Sequence, residues 1–154
     1  MTKILFVCLG NICRSPMAEF VMREKVRRAG LSGRIEVASA GTSDEELGNP
    51  VHPGTRSKLR QMGVPMTART ARPMDRSDYA EYDLLIGMEA SNVRSMRRIC
   101  GGDSEGKIHR LLDFSDRPRD IADPWYTGNF DLTYDDVDEG CDALLEHLKE
   151  RLPR

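Results

Sequence analysis

Short apolar runs alternate along the chain with longer segments whose apolar residues recur at helical spacing. The apolar runs predict β-strands at residues 3–8, 34–39, 83–88 and 107–112. The longer segments predict helices at residues 15–29, 53–62, 90–99 and 134–151. The remaining chain predicts a short strand at 67–71 and a polar loop from 113 to 133. Because strands and helices alternate, we expect a parallel, doubly wound α/β sheet.

Two of the helices carry clear end signals. For the first helix, Ser15 is the predicted N-cap, Pro16 occupies the first helical position and Gly30 ends the helix. In the last helix, the predicted first turns hold Asp135, Asp136, Asp138 and Glu139, and Lys149 and Arg151 lie near the end. That distribution suits a helix dipole, so we expect these acids in its first turns.

Length and charge narrow the class of protein. The chain has 154 residues, which predicts one domain spanning 1–154 with a core that needs no disulfide support. Its apolar content of 39% and charged content of 31% are typical of a soluble, globular protein. A net charge of −2 argues against general nucleic-acid binding, and no apolar run approaches the length of a membrane span. No leader cleavage pattern precedes the first strand, so we expect a cytoplasmic protein without membrane association.

The cysteines argue for free thiols. Cys8, Cys13, Cys100 and Cys141 show neither a C-x-x-C pair nor a regular framework spacing. The three histidines stand at no ligand spacing from them, so we expect neither a zinc site nor another metal or cofactor.

The junction of the first strand and first helix carries the candidate chemistry. Cys8 ends the strand, and Arg14 follows six residues later at the start of the helix. A loop at a helix N-terminus gathers free backbone N–H groups that favour an anion. Gly10 and Asn11 both tolerate left-handed backbone angles, so the loop can curl with its amides inward. Arg14 adds a planar donor fork suited to phosphate, and this field favours the thiolate of Cys8, a nucleophile aimed at phosphorus.

The bare C-x5-R spacing is a weak signal in an arginine-rich chain, and a cysteine that ends an apolar strand is often an inert buried residue. The glycine, asparagine and Ser-Pro inside a strand–loop–helix context make the phosphate interpretation more specific.

A thiolate that attacks a phosphomonoester needs an acid to protonate the leaving oxygen. The segment DPWYTG, residues 123–128, offers Asp123 beside Trp125 and Tyr126, although an ordinary Asp-Pro turn would look the same.

Together, VCLGNICRSPMAE near the N-terminus and DPWYTG farther on resemble the low-molecular-weight protein tyrosine phosphatases. SAGT at 39–42, YDLLIGMEASN at 82–92 and the last helix follow in the family's order, so the resemblance covers essentially the whole chain. It implies a four-stranded parallel sheet with helices on both faces. It also implies hydrolysis of phosphotyrosine on proteins, with a monomeric or weakly dimeric enzyme.

The resemblance implies a role for each matching position. Cys8 would form a phosphocysteine intermediate, Arg14 would grip the phosphoryl oxygens, and Asp123 would act as general acid and then base. Ser15 would hydrogen-bond the sulfur of Cys8, and Ser39 would support the loop. The phosphate-binding backbone and the slot beside it would come from Leu9, Gly10, Asn11, Ile12, Cys13, Trp125 and Tyr126.

Asn11 would hold the loop shape with Ser39 as its partner. Cys13 resembles the second cysteine that can form a reversible disulfide with the nucleophile in this family, and the alternative is a small residue that packs the loop.

Some positions depart from the family pattern. Glu45 or a neighbour replaces an aromatic residue beside the substrate entrance, which leaves the peptide preference open. Glu89 replaces an aspartate, His52 replaces an acid, and Arg69 stands near the position of a buried histidine. No role is carried over for His52 or Arg69.

Other functions on related folds are less well matched. A thiol-dependent arsenate reductase would need further redox cysteines, and residues 79–99 contain none. A protein arginine phosphatase would carry Thr where this chain has Ile12, and an apolar residue favours an aryl phosphate. A phosphocarrier domain would not need Arg14 or Asp123, and a non-catalytic phosphotyrosine-binding scaffold would not keep the whole set.

Overall fold

The computed structural model describes residues 1–152, and the last two residues of the predicted 1–154 domain lie outside the described residues. Strand β1 spans Thr2–Cys8, β2 Ile35–Gly41, β3 Leu84–Gly87 and β4 Ile108–Arg110. The helices are α1 Arg14–Arg28, α2 Pro53–Gln61, α3 Asp78–Glu81, α4 Ala90–Cys100, α5 Pro124–Thr127 and α6 Phe130–Lys149, with a 3₁₀ turn at Leu111–Phe114.

The four strands form one parallel sheet in the order β2-β1-β3-β4. The predicted fold class is confirmed. Because the chain moves from β1 to β2 on one side and later to β3 on the other, the strand order reverses at β1. In open α/β sheets ligands bind at the carboxyl ends of strands at such a point. Cys8, the last residue of β1, lies there.

Both faces of the sheet are covered, which explains why β1 is apolar at nearly every position. Ile4 and Phe6 belong to a core packed by α1 and α6, whereas Leu5 and Val7 belong to a second core that includes Met96 of α4. Residues 4–7 are all completely shielded from solvent. The continuous apolar run is therefore what a central parallel strand requires.

The start of α1 differs from the prediction. The helix begins at Arg14 with Cys13 as its N-cap, so Ser15 is not the cap and Pro16 is not the first helical position. The loop after β1 continues directly into the helix. The Ser15 hydroxyl contacts Cys8 at the end of β1 and does not cap a free backbone N–H of the helix.

The predicted strand at 67–71 is wrong. This segment makes only an isolated antiparallel bridge, between Pro50 and Thr70, and does not join the sheet. The predicted fourth strand is also shorter, because Leu111 and Leu112 enter the 3₁₀ turn while remaining fully buried. The apolar residues at these positions predict burial, and burial is the same in a strand and in a 3₁₀ turn.

The predicted loop at 113–133 is partly helical. It contains α5, and α6 begins at Phe130 with Asn129 as its N-cap, whose Oδ1 accepts a hydrogen bond from the Leu132 N–H at 3.0 Å. The acids at 135, 136, 138 and 139 thus lie beyond the first turn. Two of them pair with Arg119 instead: Asp136 Oδ1 lies 2.8 Å and Glu139 Oε1 3.0 Å from Arg119 Nη2. Among residues 1–152, no helix has the length and apolar character needed to cross a membrane.

Candidate active site

The loop between β1 and α1 turns its carbonyl groups outward. The Cys8 and Leu9 carbonyls accept hydrogen bonds from the N–H groups of Thr42 at 2.9 Å and Ser43 at 3.0 Å. The Ile12 carbonyl accepts one from the His52 N–H at 2.8 Å. The N–H groups of residues 10–13 donate to no acceptor within the described part of the chain. The loop thus presents unused amides next to Cys8, which is the arrangement of an anion cradle.

Backbone conformation explains how the loop closes. Asn11 has φ 59°, the one left-handed non-glycine residue between residues 1 and 152. Gly10, which tolerates left-handed angles, does not adopt them. A Cβ at Gly10 would lie 3.2 Å from Glu46 Cγ, a tight contact that a small movement of the Glu46 side chain would relieve. Gly41 is the position that needs the space, because a Cβ there would lie 2.8 Å from the Leu9 carbonyl oxygen.

A buried hydrogen-bond network links Asn11 to the sulfur of Cys8. Asn11 Nδ2 donates to Ser15 Oγ at 2.8 Å and to Ser39 Oγ at 3.0 Å. Ser15 Oγ lies 3.0 Å from Cys8 Sγ, and Ser39 Oγ donates to the buried carboxylate of Glu19. Ser15 Oγ accepts from the Asn11 amide, so its own hydrogen is left to donate; the Cys8 sulfur lies at 3.0 Å and the Ala40 carbonyl oxygen at 3.4 Å. The network fixes both the loop conformation and a donor to a Cys8 thiolate.

Arg14 is buried yet keeps donor capacity. Its side chain is 2% exposed, and Nη1 donates to the Ile121 carbonyl at 2.8 Å and lies 3.1 Å from Glu89 Oε2. Nη2 lies 3.4 Å from Asp123 Oδ2. Nε is buried without a hydrogen-bond partner in the described chain. An unpartnered guanidinium donor at this position is suited to a bound oxyanion, because buried donors normally have partners.

Asp123 reaches this cradle from a separate loop. The Ile121 N–H donates to the Met88 carbonyl at the end of β3 at 2.9 Å, which anchors the loop to the sheet. Asp123 then caps α5, with Oδ1 accepting from the Trp125 N–H at 3.0 Å. Its second oxygen, Oδ2, faces Arg14. One carboxylate oxygen therefore fixes the side chain and the other remains at the cradle.

A pocket of about 150 Å³ opens above the cradle. Its lining combines the loop with two further segments and consists of Cys8, Leu9, Gly10, Ile12, Cys13, Arg14, Glu45, Glu46, Asp123, Trp125 and Tyr126. Leu9, Trp125 and Tyr126 are 45%, 59% and 78% exposed, respectively, although such side chains are usually covered. The structure thus brings nearly all the predicted site residues to one pocket, and Asn11, Ser15 and Ser39 lie beneath it.

Cys13 lies in the same loop but in a different environment from Cys8. It is 4% exposed, and burial, together with the nearby Cys8 and Asp123, raises the pKa of its thiol to about 12. A thiol with a raised pKa has a smaller thiolate fraction at neutral pH than an ordinary cysteine, which makes Cys13 the weaker nucleophile of the two positions.

Two contacts at the site were not predicted from the sequence. Arg69 donates from Nη1 to the Asn11 carbonyl at 2.9 Å and from Nη2 to Asn11 Oδ1, so it supports the left-handed residue directly. Burial lowers the pKa of Arg69. Glu89 pairs with Arg14. Its place directly after β3, at the same sheet edge as Cys8, is the signal that could have found it.

His52 also borders the site. Its ring lies edge-on to Trp125 with centroids 5.7 Å apart, and its Nδ1 accepts from the Gly54 N–H at 3.0 Å. No group of three or more His, Cys, Asp or Glu side chains suited to a metal ion occurs within residues 1–152.

Comparison with known proteins places these features in a family. The family model for low molecular weight phosphotyrosine protein phosphatase matches residues 3–154. The low molecular weight protein-tyrosine-phosphatase YfkJ of Bacillus subtilis is 40% identical over 152 residues, covering 97% of each chain.

Solved structures of phosphatases have the same fold as this chain. The crystal structure of YfkJ superposes with a TM-score of 0.96 at 39% identity and covers 99% of this chain and 98% of its own. The crystal structure of DARP, a drosophila arginine phosphatase, has a TM-score of 0.88 at 28% identity over 96% of this chain and 98% of its own. From the family match and the identity over almost its whole length, this chain belongs to the low molecular weight phosphotyrosine protein phosphatase family.

Proposed function

We propose that this protein hydrolyses phosphotyrosine on proteins, and small aryl phosphates, through a phosphocysteine intermediate on Cys8. The observation that carries this proposal is the cradle of unused backbone N–H groups at residues 10–13, closed by Arg14 with its unpartnered Nε. Cys8 Sγ lies at the end of the strand that leads into this cradle, within the same pocket as Asp123. A bound phosphate would therefore meet donors on its oxygens, a sulfur nucleophile and an acid.

In the first step the Cys8 thiolate attacks phosphorus, so an S–P bond forms while the bond from phosphorus to the tyrosine oxygen breaks. The protonated carboxyl of Asp123 transfers its proton to that leaving oxygen. Arg14 and the loop amides hold the three non-bridging oxygens as charge redistributes.

In the second step a water molecule attacks phosphorus while the S–P bond breaks. The Asp123 carboxylate takes one proton from this water, which restores the acid and releases inorganic phosphate. Ser15 Oγ, 3.0 Å from Cys8 Sγ, donates to the sulfur as it departs with the electron pair.

The wall of the pocket favours an aromatic leaving group. Trp125, Tyr126 and Leu9 offer exposed apolar surface beside the cradle, and Ile12 adds an apolar side chain to the lining. A phosphotyrosine ring can bury its faces against this wall, whereas the short arm of phosphoserine would not reach across it.

The rim of the pocket is acidic, which bears on the peptide around the phosphotyrosine. Glu45 and Glu46 line the pocket together with Asp123, opposed among the lining residues by Arg14 alone. Peptides with lysine beside phosphotyrosine should therefore be preferred over peptides with glutamate there. The difference in kcat/KM should be about two- to fivefold per exposed pair and should vanish in E45Q/E46Q. An unchanged preference in that variant would contradict the assignment of the rim.

The test of the proposed function is turnover of matched peptides that carry phosphotyrosine, phosphoarginine or phosphoserine. Phosphotyrosine should be hydrolysed with the highest kcat/KM, and Cys8→Ser should abolish turnover. Cys100→Ser, which changes a cysteine of the opposite core, is the matched control and should remain active. Full activity of Cys8→Ser would refute the phosphocysteine mechanism, and preferred hydrolysis of phosphoarginine would refute the substrate class.

Arsenate reductase and phosphocarrier functions are not favoured. Cys100 packs against Leu5 and Met96 on the other face of the sheet from Cys8, so it does not extend a redox relay from the cradle. A carrier would have no use for the acid that Asp123 places beside Arg14.

We further propose that the chain acts in the cytoplasm as one domain, as a monomer or weak dimer, without nucleic acid, membrane or cofactor. Its four free cysteines are typical of the reducing cytoplasm. Its net charge of −2 argues against general binding to nucleic acid.

A further inference from the structure

A second groove, of about 650 Å³, lies outside the catalytic pocket and shares none of its lining residues. It is formed by α1, the chain before α2, α2 itself and the segment that follows α2. Its lining consists of Phe20, Pro50, Val51, Arg56, Arg60, Met66, Thr67, Ala68, Arg69 and Thr70. Three arginines and no carboxylate therefore line a cavity of the size that small ligands occupy.

The two helical arginines stand one turn apart without a compensating acid. Arg56 and Arg60 are separated by four residues on α2, and the sequence of α2, PGTRSKLRQ, contains no Asp or Glu. Like charges at this spacing destabilise a helix. The helix dipole accounts for Arg60 in the last turn but not for Arg56.

Arg56 is also the partly buried arginine that lacks a partner in this groove. Its Nε is shielded from solvent and has no hydrogen-bond acceptor among residues 1–152. Elsewhere in the chain, partly buried arginines are matched by carboxylates: Arg72 by Asp78, Arg110 by Asp113, and Arg119 by Asp136. Among residues 1–152, no carboxylate pairs with Arg56 either, so its guanidinium charge has no counterion, and an anion in the groove would supply one.

The carboxylate nearest to the third arginine, Arg69, does not neutralise the positive charge of the groove. Arg69 Nε lies 4.0 Å from Glu19 Oε1, but the Glu19 carboxylate is already engaged by Arg23, at 2.6 Å between Nη2 and Oε2. The positive charge of Arg56 and Arg60 thus remains uncompensated at the groove.

We propose that this groove binds the phosphate group of a small phosphorylated molecule. The guanidinium groups of Arg56 and Arg60 hold the phosphate oxygens, which suit their planar donor forks. Phe20, Val51 and Met66 provide an apolar wall for the rest of the molecule. Arg69 lines this groove and also donates to the Asn11 carbonyl, so the groove lies next to the catalytic loop.

The test requires that the catalytic cradle be blocked, since it also binds phosphate. Alkylation of Cys8 with iodoacetate fills the cradle with a carboxylate, and the raised pKa of Cys13 protects that thiol. Inorganic phosphate and phenyl phosphate are then titrated into the alkylated protein by calorimetry, with the Arg56 Nε–H resonance followed by NMR.

We expect one saturable site and a shift of the Arg56 resonance in the wild-type protein. R56Q/R60Q should weaken binding by about tenfold or more, as expected for the loss of charged hydrogen bonds. R97Q/R98Q, which removes the same charge from α4, should not weaken it. Tighter binding of phenyl phosphate than of inorganic phosphate would support a phosphate ester as the ligand, whereas equal binding would overturn that assignment in favour of the free anion.

Absence of saturable binding to the alkylated wild-type protein would overturn the proposal, as would equal weakening in both double variants. R60Q alone keeps the test decisive should the double variant fold poorly, because Arg60 is exposed. Before alkylation, R56Q/R60Q should retain the wild-type kcat/KM for p-nitrophenyl phosphate.

Discussion

Replacement of Ser15 by alanine should slow the breakdown of the phosphocysteine intermediate more than its formation. Ser15 is fully buried, and its Oγ lies 3.0 Å from Cys8 Sγ. When the S–P bond breaks, the sulfur becomes an anion, and because Cys8 is only 3% exposed, few water molecules can solvate it. Loss of the donor therefore raises the barrier of the step in which this charge appears.

The magnitude follows from the type of hydrogen bond. A hydrogen bond to a charged group contributes about 1.5–3 kcal/mol, which corresponds to about a 10- to 150-fold fall in kcat. The substitution also removes an acceptor of Asn11 Nδ2, which keeps its bond to Ser39 Oγ. Ser39→Ala is the control for the loop, because it removes the other acceptor of the same amide, and also a donor to Glu19, without touching the sulfur.

The assay is rapid-mixing kinetics with p-nitrophenyl phosphate. Ser15→Ala should release about one equivalent of p-nitrophenolate per enzyme in a burst, followed by slow turnover. Ser39→Ala should show a smaller loss and no comparable accumulation. If both variants lost kcat equally, Ser15 would act only through the loop conformation and the reasoning about the sulfur would be refuted.

Three further predictions concern the acid, the loop support and an ion pair. Asp123→Ala should lower kcat by about 10²- to 10⁴-fold for phenyl phosphate and clearly less for p-nitrophenyl phosphate, whose leaving group needs no proton; equal losses, measured in steady-state assays, would mean that Asp123 is not the acid. Arg69→Gln should destabilise the fold by about 1–3 kcal/mol and lower kcat, because both bonds to Asn11 are lost; denaturant titration beside kinetics checks this, and unchanged values for both would contradict it. Hydrogen bonding to Arg119 lowers the pKa of Glu139 from 4.5 to about 2, so the stabilisation is present above the unfolded value and is lost as the pH falls towards about 2. The difference in melting temperature between wild type and Glu139→Gln should shrink over that window, and a constant difference would contradict the pairing.

The fold class, and most of the residues that line the candidate site, could be predicted from the sequence alone. Parallel strands buried on both faces have a near-continuous apolar pattern, and KILFVC in β1 carries it clearly. The strand–loop–helix junction around Cys8 and Arg14 and the Asp-Pro segment at Asp123 are local motifs. Each motif is contiguous in the chain, so the sequence alone is enough to propose its chemistry.

The tertiary structure decided what depends on contacts between distant segments. The helical content of 113–133 and the irregular path of 67–71 follow from packing, because buried apolar letters do not distinguish a strand from a turn. Arg69 supports Asn11 from a segment 58 residues away, and Glu89 reaches Arg14 from the end of another strand.

The acids at 135, 136, 138 and 139 also show that the sequence does not reveal the partners of charged groups. Their letters suit the start of a helix, but Asn129 caps α6 earlier, and Asp136 and Glu139 pair with Arg119 across the fold. A cap is a local preference worth about 1 kcal/mol, so neighbouring segments and alternative caps can move it. The sequence specifies which residues are buried and which can do chemistry, whereas the partners of each charged group are set only when the chain brings them together.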